Sequence, residues 1–236
     1  GERSDYAEAI LNVANKDNNY LYAKHDGSID DGFELVSHPM TLEYHTNIMN
    51  WSDVMEMALS LGYRSHQTYT CGLHIHVNRN AFGENYDTQE DAISRIVHFV
   101  EMHWNELLKF SRRTEANMNR WASRYGIANT AKDTYKNAKA KHCGRYVAVN
   151  LENYATIEFR LFHGTLKYKT FLATLQLVDE ICSLALKLSD KELESMSWSD
   201  FVGRIDSDKP ELIEYLKAKQ LYINEPVDIS LETEVE

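Results

Sequence analysis

Two short stretches of strict alternation constrain this chain more than anything else in its sequence: residues 71–79, CGLHIHVNR, and residues 156–164, TIEFRLFHG. Side chains on a β-strand alternate between faces, so each stretch reads as a strand with one apolar and one polar side. In the first, Leu73, Ile75 and Val77 share a face and His74 and His76 project from the other. In the second, Ile157, Phe159 and Leu161 oppose Glu158, Arg160 and Phe162. Two imidazoles about 7 Å apart can share a metal ion or line a phosphate pocket, and a pair of surface histidines fits the same pattern. A carboxylate and a guanidinium two residues apart set a metal ligand beside an anion binder. They equally suit a cross-strand ion pair, worth under about 1 kcal/mol when exposed.

Residues 33–36 and 145–151 also have strand character, and Glu34 falls inside the first of them. A glutamate there is either a ligand or faces solvent, while Asp26, Asp30 and Asp31 solvate the turn before it. The stretches 145–151 and 156–162, joined by Glu152-Asn153-Tyr154-Ala155, predict an antiparallel hairpin. Helical spacing marks residues 6–14, 51–61, 88–110 and 168–188, with Ser52 and Thr88 as N-caps. Pro210 is placed to start a last helix with Glu211 in its first turn. Three prolines, ten glycines and no low-complexity linker or repeat predict one α+β domain over residues 1–190. A helical extension, 191–236, with an acidic tail would pack on the same domain. A doubly wound parallel sheet is not expected.

The 25 Lys and Arg against 36 Asp and Glu leave a net charge of −11, which excludes a generally basic nucleic-acid binder. That balance hides an island. Residues 109–145 hold ten Lys or Arg against only Glu115 and Asp133, including the neighbours Arg120-Trp121 and Arg124-Tyr125, which suit phosphate binding and stacking. His98 and His103 lie five residues apart and point to different sides of their helix, so they belong to packing or the surface. No apolar run is long enough to span a membrane, no signal peptide is recognisable, and three scattered cysteines without a CxxC pair predict reduced thiols in the cytoplasm. Cys143, beside Lys141 and His142, lacks the partner spacing of a nucleophile. Walker A, GxGxxG and GxSxG motifs do not occur.

In order, DGSIDDGFELVSHPMTLEYH, CGLHIHVNR, FSRR and RYVAVNLENYATIEFRLFHGTL, across residues 20–188, resemble the amidoligase family of carboxylate-amine ligases, relatives of glutamine synthetase and γ-glutamylcysteine ligase. The resemblance implies a glutamine synthetase-like fold, a curved antiparallel sheet backed by long helices, binding ATP and magnesium, with manganese as an alternative. It implies Glu34, His74 and Glu158 as metal ligands, His76 beside them, and Arg160 facing the transferred phosphoryl group. Arg145 and Asn150 would reach the nucleotide or the carboxylate, and Arg112 or Arg113 would add a phosphate contact. The family begins with a strand bearing an ExE pair after a glycine, whereas here Gly1-Glu2-Arg3 leads straight into a helix. That strand is therefore expected to be missing; Glu232, Glu234 and Glu236 are either its substitute or a frayed tail.

The implied reaction joins a carboxylate and an amine, on a small amino acid or a peptide, through an acyl phosphate. Neither nucleic acid nor membrane is an expected partner, and oligomeric state is open. Two alternatives stand beside it: a binding or scaffold protein that keeps the fold without catalysis, and a metal-dependent hydrolase built on His74 and His76.

Overall fold

A computed structural model describes residues 2–25, 27, 32–66, 68, 70–141 and 143–222. The expectations for Asp26, Asp30, Asp31, His142, Glu232, Glu234 and Glu236 lie outside the described residues. The chain divides into two compact units: one ends at Gly72 and regains Gly164–Leu172, and the other runs from Leu73 to His163 and resumes at Ala173. Its class is mixed, with small antiparallel sheets among many helices.

In the first unit, α1 (Glu2–Ala14) leads into a two-stranded antiparallel sheet of β1 (Leu21–Lys24) and β2 (Glu34–Ser37). Asn15 makes this junction: its Oδ1 accepts the backbone N–H of Tyr20 and Leu21, and its Nδ2 donates to Leu21 O, all at 2.8 Å. The short helix α2 (Leu42–Asn47) is capped by Thr41, and α3 (Trp51–Ser60) follows Asn50. The expected Ser52 cap is thus already inside the helix. Asn50 itself is not a side-chain cap, because its Nδ2 donates to Val13 O at 3.1 Å. Ile10, Leu21, Val54 and Met55 form this unit's core, with Trp51 against Phe171 at 4.8 Å. Gly164 N–H donates to Cys71 O at 3.1 Å. A side chain at Gly164 would meet Ser65 Oγ at 2.3 Å, so only glycine allows this approach.

The second unit is built on a three-stranded sheet in the order β3 (Gly72–Asn78), β5 (Thr156–His163), β4 (Val149–Asn150). The predicted hairpin is present: β4 and β5 pair antiparallel with Asn150 opposite Glu158. The ladder is shorter than residues 145–151, because Val147 bridges to Ser123 in parallel instead, with Ala148 N–H donating to Ser123 O at 3.0 Å. Leu73, Ile75 and Val77 pack on the core, as their alternation requires. β5 departs from the half-buried expectation, since every residue from Ile157 to His163 is buried.

The helix predicted at 88–110 is two helices, α4 (Tyr86–Met102) and α5 (Trp104–Ser111). They meet at His103, whose N–H donates to Phe99 O and whose C=O accepts from Leu107. Because both neighbouring bonds survive, the apolar stripe Ile93, Ile96, Val97, Val100, Leu107 stays in phase and conceals the break. Asn85, not Thr88, caps α4, its side chain accepting from Thr88 N–H at 3.0 Å. Two further helices, α6 (Glu115–Trp121) and α7 (Ala131–Ala140), carry four of the ten cations of the basic island. After the sheet come α8 (Tyr168–Lys187), α9 (Asp190–Glu194), α10 (Trp198–Gly203) and α11 (Pro210–Ala218), the last with its proline at the first position as expected. Phe99, Phe110, Phe159, Phe162 and Phe201 are fully buried in this core, each worth about 1.5–3 kcal/mol of burial. Among the described residues no helix is long and apolar enough to cross a membrane.

His98 and His103 are both buried, which assigns them to packing. Burial holds the His103 imidazole down at about 4 and lowers His98 as well. A folded-state value below the unfolded one near 6.5 means that the unfolded chain takes up protons the folded chain refuses. The stabilisation is present above that pH and lost as pH falls toward 4. Urea unfolding should therefore show a loss of roughly 1–2 kcal/mol from His103 between pH 7 and pH 5, with His98 acting in the same direction, and His103→Phe should flatten the slope.

Candidate functional site

Glu158 lies in the middle of β5 and is 5% exposed. Its Oε2 accepts from Asn150 Nδ2 at 2.8 Å and Asn153 Nδ2 at 3.4 Å, while Oε1 accepts from Arg160 Nη1 at 2.5 Å. From β3, His74 Nδ1 stands 3.4 Å from the same Oε1 and 3.5 Å from Arg160 Nη1. His76 Nε2 stands 3.7 Å from it, with Nδ1 3.1 Å from Thr156 Oγ1. The period-2 reading of both strands thus brings four side chains to one point. Asn150, on β4, completes them; its Oδ1 accepts the Glu152 N–H at 3.0 Å.

Burial alone would raise the Glu158 carboxyl, but the Asn150 hydrogen bond and the Arg160 charge outweigh it and hold the group below the usual range. Burial, with Arg160 adding to it, pushes His74 down to about 4. At neutral pH the cluster is therefore a carboxylate–guanidinium pair beside a neutral imidazole. His76, half exposed at its side chain, is its open edge.

The paired arginines expected to contact phosphate sit at the far end of β5. Arg113 Nη2 donates to Phe162 O at 3.2 Å and Arg112 Nη2 to His163 O. Arg112 ends α5 in the left-handed region, with φ 65°. A non-glycine residue there costs on the order of 1–2 kcal/mol, and the turn sends two consecutive guanidiniums to one strand end. Arg113 is close enough to lower the His74 pKa. Arg145 is exposed and covers the Tyr146 ring at 5.0 Å. Arg124 departs from its expected pairing with Tyr125: it lies over Trp104 at 4.9 Å, with Nε donating to the buried Glu101 at 2.9 Å. Glu34 lies on β2 of the first unit, opposite Lys24.

Sequence reasoning missed the clamp that holds this cluster. Arg79, the last residue of CGLHIHVNR, donates from Nη2 to Leu151 O at 2.8 Å and from Nε to Asn153 O at 3.2 Å. Its backbone N–H donates to Ala155 O at 2.9 Å. These three bonds tie the β4–β5 turn, which carries Asn153, to the end of β3. Behind it Glu90 of α4 lies 3.7 Å from Arg79 Nη1 and accepts from Lys139 Nζ at 2.7 Å and from Tyr135 Oη. The available signal was Arg79 itself, a charge placed where the alternation of β3 ends.

Among the described residues no group of three or more His, Cys, Asp or Glu is arranged to hold a metal ion. The cluster offers one carboxylate whose Oε1 already accepts from Arg160. Magnesium keeps waters and is commonly held by one or two carboxylates plus substrate phosphates, so Glu158 fits it only together with a phosphorylated ligand. Arg160 Nε is buried without a hydrogen-bond partner, and a buried donor of this kind calls for an acceptor.

A family model described as "Putative amidoligase enzyme" matches residues 12–182, a span that includes the whole cluster and its clamp. No curated protein and no solved structure matches the chain significantly.

Arg79→Ala strips two half-buried carbonyls of a charged donor, each such bond being worth about 1.5–3 kcal/mol. The variant should lose on the order of 2–4 kcal/mol in urea unfolding, and Arg79→Lys, which lacks the planar fork, should restore only part of it.

Proposed function

The chain belongs to the amidoligase family, and we propose that it is an ATP- and magnesium-dependent ligase that joins a carboxylate to an amine. The observation that carries this reading is Arg160: a buried guanidinium on a central strand, with one arm on Glu158 and its Nε unmatched. When bound with magnesium or manganese, ATP supplies the phosphoryl group that turns the substrate carboxylate into an acyl phosphate, from which the amine displaces phosphate. The protein's part in such chemistry is positioning and neutralisation of charge.

Arg160 offers fixed positive charge where negative charge develops, and burial strengthens it. Glu158 would hold the metal, with His74, kept neutral, as a second donor. His76 Nε2 carries a lone pair when the ring proton sits on Nδ1 toward Thr156, so it can take the proton the amine loses as the new C–N bond forms. Asn150 holds the carboxylate of Glu158 in one orientation, and Arg145 faces the incoming carboxylate. Arg112 and Arg113 fix the end of β5 and add positive charge. On this reading the three strands belong to the curved antiparallel sheet of a glutamine synthetase-like fold, and the three unpaired cysteines suit a reducing cytoplasm.

The protein incubated with ATP, magnesium and a mixed pool of amino acids and amines should release ADP and phosphate. Arg160→Lys keeps the charge but not the planar fork and should lower the rate by about 10²-fold; Glu158→Gln should lower it at least as much. Equal trace release from wild type and Glu158→Gln would remove the enzymatic assignment.

A further inference from the structure

From Arg160 outward the second unit carries a row of rings and guanidiniums whose outer members, Trp121 and Arg120, have no part in the reaction chemistry. The Arg160 guanidinium lies 5.6 Å from the Tyr146 ring, and Arg145 covers the same ring at 5.0 Å while donating from Nη2 to Tyr146 Oη at 3.0 Å. Trp121 meets Tyr146 edge-on, at 5.6 Å and 71°. Arg120 lies over Trp121 at 4.7 Å. The rings are not loose surface side chains. Ser123, two residues after Trp121, donates from its N–H to Tyr146 O at 2.9 Å, and Ala148 N–H donates back to Ser123 O at 3.0 Å. Arg160 N–H donates to Ala148 O at 2.8 Å, so the row is tied by backbone hydrogen bonds to the strand that carries the cluster.

The row is cationic and open. Arg120 and Arg145 are exposed and Tyr146 is 39% exposed, in a chain that is negative overall. A purine needs a bare ring face, and a guanidinium lies over each of these rings. A long polyanion meets repulsion from the rest of the chain. A short ligand with several carboxylates suits both conditions, because an exposed guanidinium can donate a charge-assisted hydrogen bond to a carboxylate. An extended peptide advances roughly 3.3 Å per residue, so two or three acidic residues would cover the two rings.

We propose that Arg145 and Arg120, mounted on Tyr146 and Trp121, form the subsite for the body of the carboxylate substrate, and that this substrate is an acidic peptide whose reacting carboxylate reaches Arg160. This rests on the ligase reading and adds the class of acid to it. The row acts on binding, before any chemistry.

Calorimetry on the full chain at low salt tests it, with triglutamate, triglutamine and magnesium–ATP as probes. Triglutamate should bind, and triglutamine about tenfold or more weaker. Arg120→Gln and Arg145→Gln together should weaken triglutamate about tenfold with an unchanged unfolding midpoint, and Arg120→Gln alone should leave magnesium–ATP affinity as in wild type. Equal affinity for the two peptides, or wild-type triglutamate binding by the double variant, overturns the proposal. So does a loss of nucleotide rather than peptide affinity in Arg120→Gln, which would give the row to the nucleotide. If ADP release depends on Arg160 while triglutamate neither binds nor reacts, the subsite fails and the ligase stands. If triglutamate binds through the row but no amine makes the protein consume ATP, the ligase fails and the subsite stands.

Discussion

Opposite charges on alternate residues of a strand usually sit at a surface and contribute little. In β5 they are buried, Glu158 at 5% and Arg160 at 9% exposure, and that single condition organises the second unit. Either charge without the other would be an uncompensated ion in the interior, at a cost of about 3–5 kcal/mol. The remaining lone pairs of the carboxylate also need donors, so Asn150 and Asn153 are drawn in from the adjoining strand and turn. The turn needs anchoring in its own right, which Arg79 provides, and Arg79 is countered by Glu90 with Lys139 and Tyr135 behind it. A line of alternating charge and hydrogen bond runs from the sheet to two helices, each link answering the polarity of the one before.

The parts of this arrangement that depend on a local period were legible in the sequence. Alternation alone put His74 and His76 on one side of β3 and Glu158 and Arg160 on one side of β5, and the hairpin joined Asn150 to Glu158. Alternation says nothing of what covers the polar side, so the burial of β5 on both faces was not legible. The division of α4 from α5 was hidden for a related reason: a one-residue junction that keeps both flanking hydrogen bonds leaves the helical phase intact. Caps were misplaced by two and three residues because Asn50 and Asn85 precede the acidic turns that drew attention to Ser52 and Thr88. The brevity of β4 reflects a competitor that no local pattern reveals, since Ser123 takes the partner that a longer hairpin would have used.

The basic island illustrates how one composition can serve several ends. Arg124 meets the buried Glu101, Lys139 meets Glu90, and Arg112 and Arg113 hold the carbonyls at the end of β5. These are structural uses, answering buried acceptors. Arg120 and Arg145 lie instead over aromatic rings at an exposed edge. Charge counting treats all of them alike, and only the identity of the partner separates a cation that stabilises the unit from one that can receive a ligand.

The clamp and the cluster it holds are made almost entirely of distant pairs. Arg79 and Leu151 are 72 residues apart, His76 and Thr156 80, and His74 and Arg160 86. Closing loops of that length comes before any of these contacts can repay it, whereas the helices and the β4–β5 hairpin can form from near neighbours. The cluster is therefore the part of the unit with the largest loop-closure cost. A nascent chain released before Thr156 has emerged holds both histidines with none of their partners, although every acceptor of the clamp arginine is already in it.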